Sequence, residues 1–497
     1  MSIVCIDEIL IKILSGGVVL KTDSALLKKI NNSSCHILGF GKSNRPLVPF
    51  LLKHGANVTV HDKDTTLLQS EAAKEMSSLG VQFVLGENYL SGLDGDFIFR
   101  SPGFRPDLPE ILDAVKHGAI LTSEMELFFE LTDAKIFGIT GSDGKTTTTT
   151  LTYMFLDAEC KKRGKGQAYV GGNIGTPLLP LVEEMTADDF AVVELSSFQL
   201  MTMRRSPDRA IITNISPNHL DWHKSGYEEY IGAKCNICMH KPISALVTNA
   251  DNDVTSEIAR NSDLPITYFS SKKSSYDAIV PPYKRGGKAI YERRGSIVIE
   301  GEFGGRQEIL KTSDIKLPGR HNLENYMAAI AITDGYVSRD LIAPIAREFG
   351  GVAHRLEFVR ELDGVKYYNS SIDSSPSRTH AAISALSQKP VIICGGKGKG
   401  IPFDSLAKDL CESVKAVVLT GATAQEIKGD IEACPQYNPE ALPVRLVPDF
   451  ADAVRVAKEL AVEGDIVLLS PACTSFDAFK NFEERGNYFK KIVNELK

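Results

Sequence analysis

At 497 residues the chain is longer than one hydrophobic core usually organises, so roughly three domains of about 150 residues are expected. Its 43% hydrophobic and 24% charged content, without a low-complexity tract, excludes a disordered chain. A net charge of −7 argues against a surface built to neutralise nucleic-acid phosphates, so an anionic ligand has to be small.

The first twenty residues are apolar, but Asp7, Glu8 and Lys12 interrupt them. No uncharged run reaches the roughly 18 residues of a membrane span, so a short amphipathic helix plus strand is expected and membrane insertion is not. Nine scattered cysteines, an odd number, do not suggest a disulfide framework and fit a reducing, cytoplasmic setting. Cys235 and Cys238 form a lone Cys-x-x-Cys without a second pair, which favours buried apolar thiols over zinc.

CHILGFG (35–41), ANVTVHD (56–62) and DFIFRSPG (96–103) are short β-rich runs separated by helix-like stretches, a βαβ series with a parallel sheet. A second series runs from KIFGITG (135–141) through DFAVVELSS (189–197) and RAIITNIS (209–216) to SALVTNAD (244–251). Residues 278–315 alternate and carry glycines, which predicts an appended antiparallel hairpin. A third series, GVKYYN, KPVIICGG, VKAVVLTG and DIVLLSPA, starts near residue 364 and ends in a final helix. Breaks near 122 and 351 follow, giving an α/β chain of three domains: 1–122, 123–351 and 352–497.

GITGSDGKTTTTT (138–150) is an apolar strand entering a glycine loop and then a helix. Glycines at 141 and 144 let backbone N–H groups approach an anion. Lys145 supplies charge for β/γ-phosphates and the Thr146 hydroxyl can ligate Mg²⁺. The Walker spacing is met only in its second half, because Ile139 stands where a glycine is required, and a structural glycine turn is the alternative. Five consecutive threonines are poor helix formers, so something beyond propensity must favour them. The next strand ends in Glu194 and another runs out through Asn214 to His219. Both ends face the crevice where open α/β sheets bind ligands, although either side chain alone could be merely solvated.

TGSDGKT, GGNIGTP (171–177), ELSSFQL (194–200), NHLD (218–221), GRHNLEN (319–325), HRLE (354–357) and SPACTSFDAFKNFEERG (470–486) occur in this order over nearly the whole chain. Together they resemble the Mur ligases, and within them the members that join D-glutamate to UDP-N-acetylmuramoyl-L-alanine. The resemblance implies Rossmann-like N- and C-terminal domains flanking a central P-loop-type ATPase domain. It also implies a cytoplasmic, monomeric ligase of peptidoglycan synthesis, serving cell-wall biogenesis, cell shape and cell division. Chemically it implies phosphorylation of a carboxylate by ATP and attack on the acyl phosphate by an amine through a tetrahedral intermediate.

Residue by residue, the resemblance assigns Gly141, Ser142, Asp143, Gly144, Lys145, Thr146, Thr147, Asn322, Asn325 and Arg355 to ATP. Thr146, Glu194, His219 and Lys234 go to two Mg²⁺ ions, with Lys234 as a carbamate, since an ammonium beside Mg²⁺ would be repelled. Lys145, Glu194, His219 and Lys234 form the catalytic set. Ser43, Asp62, Lys63, Ser101, Gly103 and Asn173 match positions holding the UDP substrate, and Ser374, Lys399, Ser475 and Phe482 match those holding the amino acid. One departure stands out: where many members read Asn-Asp-Ser, this chain reads Asn369-Ser370-Ser371, so either Asp373 substitutes or the acid is dispensable. Rival readings are a folate-type ligase, a dehydrogenase suggested by GFG and Asp62, and a non-catalytic regulator. The dehydrogenase leaves TGSDGKT, Glu194 and His219 unexplained.

Overall fold

The computed structural model describes residues 25–218, 222–284, 286–303, 305–317, 319–398 and 400–497. The helix and strand expected over the first twenty residues lie outside these, as do His219 and Lys399. The described chain forms two compact units, one running up to Thr312 and including Leu323–Ile345, the other made of Ser313–Asn322 and Ala346–Lys497.

The first unit holds two sheets. In the first, strands β1 (Ser34–Leu38), β2 (Asn57–Asp62), β3 (Gln82–Leu85), β4 (Phe97–Arg100) and β5 (Ile120–Thr122) lie in the order β3-β2-β1-β4-β5, all parallel. The run FIFR of β4 is buried throughout, as expected of a parallel strand covered on both faces. Strand order reverses at β1, which opens a crevice beyond the carboxyl ends of β1 and β4.

The second sheet has nine strands: β6 (Lys135–Thr140), β7 (Ala168–Gly172), β8 (Phe190–Glu194), β9 (Arg209–Ile212), β10 (Ala245–Asn249), β11 (Ile266–Ser270), β12 (Lys288–Arg293), β13 (Ser296–Gly301) and β14 (Arg306–Lys311). Their order is β14-β13-β12-β11-β10-β9-β6-β8-β7, and only β13 runs against the others, pairing antiparallel with both β12 and β14. Arg294 and Gly295, both at positive φ, make the two-residue turn between β12 and β13, the geometry that matches strand twist in a hairpin. Here the reversal falls at β6, between β8 and β9, and places that crevice over the glycine loop. One apolar core runs through both sheets and includes Leu127, Phe128 and Phe129 of the helix Glu124–Leu131.

Three helices matter for the sites: α1 (Lys145–Arg163), α2 (Tyr227–Cys235) and α3 (Arg320–Thr333). α1 ends in Lys161, Lys162 and Arg163, which complement its dipole, and closes on Gly164 at φ +67. Thr148, Thr149 and Thr152 are buried, and the Thr150 hydroxyl donates to the Thr146 carbonyl at 2.8 Å. Packing thus outweighs the poor helix propensity of the threonine run.

The second unit has one sheet, of strands β15 (Glu357–Leu362), β16 (Val365–Asn369), β17 (Val391–Cys394), β18 (Ala416–Leu419), β19 (Val444–Leu446) and β20 (Ile466–Leu469), in the order β15-β16-β20-β17-β18-β19. Only the edge strand β15 is antiparallel. Asp314 pairs with Arg347 at 3.0 Å and the Lys316 ammonium lies 5.2 Å from the Phe358 ring centre, contacts that place residues 313–322 in this unit. Helix α4 (Phe482–Glu495) closes it, with Asn481 capping the Glu484 N–H at 2.7 Å.

Candidate functional site

β6 delivers the chain into the loop 141–144, and α1 begins at Lys145. Two positions there require glycine. Gly141 has φ +151, and a Cβ would stand 1.9 Å from Thr213 Oγ1; Gly144 has φ +76, and a Cβ would meet Asn325 Oδ1 at 2.3 Å. The end of β9 grips the loop. Ser142 N–H donates to the Asn214 carbonyl (2.8 Å), Asp143 N–H to Asn214 Oδ1 (2.9 Å), and the Thr213 hydroxyl to the Asp143 carbonyl (2.6 Å). Lys145 Nζ donates to the carbonyls of Gly141 and Ser142, each at 2.9 Å, which folds the ammonium over the loop. A restrained glycine loop entering a helix N-terminus is an anion cradle, because the helix's first N–H groups lack intrahelical partners.

Two buried charged side chains stand beside the cradle. The sequence Ser196-Ser197-Phe198-Gln199 forms a capping box that stops β8 at Glu194 and turns the chain. Glu194 is 1% exposed; its Oε1 accepts the Asn173 amide at 2.8 Å, while Oε2 has no hydrogen-bond partner among the described residues. An unsatisfied buried oxygen costs roughly 1–3 kcal/mol or more when charged, so this carboxylate marks a place for a cation. Lys234, in the last turn of α2, is 2% exposed. Its Nζ donates to the Gly141 carbonyl at 2.7 Å and to the Thr140 hydroxyl at 3.3 Å. Lys145 and Lys234 thus meet on one carbonyl oxygen. Burial, and then the Lys145 charge, push Lys234 down to about 6 against the pull of Glu194 and Asp143. Its amine is mostly free base at neutral pH.

A hard, oxygen-seeking cation fits the open Glu194 oxygen and a hydroxyl such as that of Thr146. Among the described residues no group of three or more His, Cys, Asp and Glu gathers, and His219 lies outside them. Lys234 as an ammonium does not fit; as a carbamate it would bring two oxygens sharing one negative charge.

In the first sheet, Asp62, Lys63 and Gly103 line a cavity of about 390 Å³ together with Tyr89, Phe104, Arg105 and Leu108. Ser101 is not among the lining residues. A Cβ on Gly39, at φ +84, would stand 3.0 Å from the Ser101 hydroxyl and 2.9 Å from the Phe104 ring, so the turn after β1 admits only glycine. Asp62 holds that turn by accepting the Phe40 N–H at 2.9 Å. Ser43, half-buried in the same loop, is not among the lining residues, and Asn173 stands at Glu194 instead.

The remaining residues are divided between the units. Asn325 belongs to the first and accepts from the Thr148 hydroxyl at 3.3 Å, whereas Asn322 belongs to the second, as do Arg355, Ser374, Ser475 and Phe482. Arg485 organises the second unit's strand ends. Its Nη1 donates to the Thr474 carbonyl, Nη2 to those of Ser371 and Cys473, and Nε to the Ser371 hydroxyl, all between 2.9 and 3.1 Å. Ser371 in turn donates to the Phe482 carbonyl at 2.9 Å. The Asp373 carboxylate folds back beside Ser370 and accepts the Ser470 hydroxyl at 2.9 Å.

Burial pushes Asp373 up from 3.8 to about 6 against those hydrogen bonds and against Arg355 and Arg378. Between these two values the folded state binds more protons than the unfolded one, so stability falls as pH rises through the window. The cost is fully present above about pH 6 and absent below the unfolded value. Asp373→Asn is therefore expected to raise stability at pH 8 by an amount on the order of 1–3 kcal/mol and to flatten the pH 4–6 slope in urea melts.

Comparison with known proteins gives the family. The Mur ligase middle domain profile matches residues 139–333, and the Mur ligase glutamate ligase domain profile matches 354–473. The UDP-N-acetylmuramoylalanine–D-glutamate ligase of Ruminiclostridium cellulolyticum is 46% identical over 474 residues, 95% of this chain and 98% of that protein. The chain belongs to the Mur ligase family. A relative of the same name from Acetivibrio thermocellus is 45% identical, covering 94% and 98% of the two chains. The UDP-N-acetylmuramate–alanine ligase structure from Thermotoga maritima shares the fold, with a TM-score of 0.54 at 18% identity, covering 94% of this chain and all of that one. Mur ligases are ATP-dependent amide-bond-forming enzymes, and this chain is one of them.

Several residues of this Mur ligase escape sequence reading. Thr213, Tyr230 and Arg485 act on backbone or loop atoms, and Tyr89, Phe104, Arg105 and Leu108 become cavity walls only when loops after β3 and β4 meet. The one available signal was Arg105-Pro106-Asp107, one residue beyond the Ser101-Pro102-Gly103 turn. Cys235 and Cys238 are half-buried thiols raised by burial, Cys238 to about 12, and Cys238 Sγ donates to the Cys235 carbonyl at 3.2 Å.

Proposed function

We propose that the chain is an ATP- and magnesium-dependent ligase that adds D-glutamate to UDP-N-acetylmuramoyl-L-alanine, in cytoplasmic synthesis of peptidoglycan precursors. The observation that carries this is the meeting of Lys145 and Lys234 on the Gly141 carbonyl beside the open oxygen of Glu194. An ATP phosphate cradle, a cation-seeking carboxylate and a free-base lysine at one place are what activation of a carboxylate by phosphorylation needs. The relatives' names supply the substrates.

The reading divides the chain into a UDP-substrate domain (1–122), a central ATPase domain (123–351) and an amino-acid domain (352–497), acting as a monomer. Two Mg²⁺ ions are assigned to Thr146, Glu194, His219 and a carbamate on Lys234; bound there, they would offset charge on the phosphate oxygens. Lys145 and the N–H groups at the start of α1 hold the triphosphate. The substrate carboxylate takes the γ-phosphoryl group, and the D-glutamate amine then displaces phosphate from the acyl phosphate through a tetrahedral adduct. Lys399, Ser475, Phe482 and Ser374 are assigned to the amino acid, Asn322, Asn325 and Arg355 to the nucleotide. Ser43, Asp62, Lys63, Ser101, Gly103 and Asn173 are assigned to the UDP substrate.

ADP release is expected only when Mg²⁺, the UDP-muramoyl-alanine acceptor and D-glutamate are present together. A panel of acceptors and amino acids checks this; equal turnover with L-glutamate or with a folate acceptor would reject the substrate assignment.

A further inference from the structure

Between the first-sheet cavity and α2 lies a charged cluster that the loop chemistry does not use. Arg105 lines the cavity, yet its guanidinium is turned toward α2. Nη1 donates to the Trp222 carbonyl at 2.5 Å, Nη2 to Glu229 Oε1 at 2.8 Å, and Nε and Nη2 to the two Asp107 oxygens at 2.7 and 3.0 Å. The guanidinium also faces the Trp222 ring, 4.9 Å from its centre. Lys224 joins Asp107 at 2.9 Å, and the Ser225 N–H donates to the second Glu229 oxygen at 3.1 Å. The Arg105 side chain is 14% exposed and that of Glu229 18%, so water competes little for the bond between them, whereas Asp107 and Lys224 face solvent.

Two roles are conceivable for an arginine at a cavity wall. An anion hook needs free donors and net positive charge. Arg105 has given four N–H bonds to two carboxylates and a carbonyl, and Asp107 and Glu229 outweigh its charge before Lys224 restores the balance. Arg105 holds Asp107 well below the usual carboxylate range, and with the Ser225 N–H it lowers Glu229 against the opposing effect of burial. Both acids therefore stay ionised at neutral pH. The geometry favours a tie over a hook.

What the tie holds is informative. Glu229 is in the first turn of α2 and Lys234 is in the last. At about 1.5 Å rise per residue they are roughly 7.5 Å apart on one rigid element. A shift of the helix start therefore moves the Lys234 amine off the Gly141 carbonyl. We propose that Arg105 is a positioning residue that couples the UDP-substrate cavity to Lys234, setting α2 in register with the phosphate loop from the cavity wall. This rests on the reading that the cavity takes the UDP substrate and that Lys234 serves the ligation.

Arg105→Lys keeps the cation but loses the planar fork, and Glu229→Gln removes the charge at the helix end without touching the cavity wall. Each is expected to lower kcat about tenfold, and the double variant no further, because both cut the same link. KM for ATP and D-glutamate should stay within roughly two-fold, and only Arg105→Lys should raise KM for the UDP substrate. Wild-type kcat in Glu229→Gln, or losses that multiply in the double variant, would overturn the proposal. Near-UV circular dichroism checks that the variants fold.

Hydrogen exchange gives a second reading that needs no turnover. UDP alone should protect the amides of residues 227–235 in the wild type and not in Arg105→Lys. Protection that survives in the variant, or none in a wild type that binds UDP, also defeats the coupling. Failure of UDP to bind at all would instead defeat the cavity assignment.

Discussion

Lys145→Ala is expected to abolish ATP-dependent turnover, lowering kcat by about a thousandfold or more, while calorimetry finds the UDP substrate bound as tightly as before. The size follows from where the charge sits. Lys145 Nζ lies on the carbonyls of Gly141 and Ser142, over the concave loop that glycine alone can form at 141 and 144. Removing it takes away a preorganised positive charge that water cannot replace in the same geometry. The selectivity follows from the fold. Asp62, Lys63 and Gly103 line a cavity on the first sheet, whereas the loop follows β6 of the second. Lys145 is only half-buried, so the variant should melt within about 1 kcal/mol of the wild type. Lost UDP binding in a folded Lys145→Ala protein would contradict the assignment of the two sites to different sheets.

Lys234→Ala is expected to be as inactive, and for a different reason. Its amine is buried beside a like charge and titrates at about 6 instead of 10.5, so it is available near neutral pH to add CO₂. A carbamate at that place would turn a repelled ammonium into an oxygen ligand near Glu194. The protein grown or equilibrated with ¹³C-bicarbonate should show one slowly exchanging carbamate resonance that Lys234→Ala and Lys234→Met lack. Small carboxylates such as formate or acetate, able to enter the space the side chain leaves, should restore part of the Lys234→Ala rate. Full activity of the wild type after exhaustive CO₂ removal, or an active Lys234→Ala protein without added carboxylate, would rule the modification out.

Much of the fold was legible because its signals are local. Apolar strands ending in glycine or polar turns announced three βαβ series, and the glycine-flanked alternation near 290 announced a hairpin that β12 and β13 form. GITGSDGKT announced, from residue types alone, the glycine loop between β6 and α1, and Ser196-Ser197-Phe198-Gln199 carries in four residues the capping box that halts β8 at Glu194. Less was visible wherever function depends on atoms brought from far apart in the chain. The Asp373 carboxylate finds Ser470 across 97 residues, and Arg485 gathers carbonyls from two separate strand ends.

The sequence by itself determined the architecture class and the glycine loop, because periodicity and glycine are properties of single segments, whereas Glu194 was an expectation from a strand end and Lys234 one from the family resemblance. Only the tertiary structure decided that two lysines share the Gly141 carbonyl, that Glu194 keeps one oxygen open, and that Arg105 spans from cavity wall to α2. These depend on burial and on distances across the sheets. A side chain's charge state and partners are set by what surrounds it in space, and spacing along the chain does not encode that.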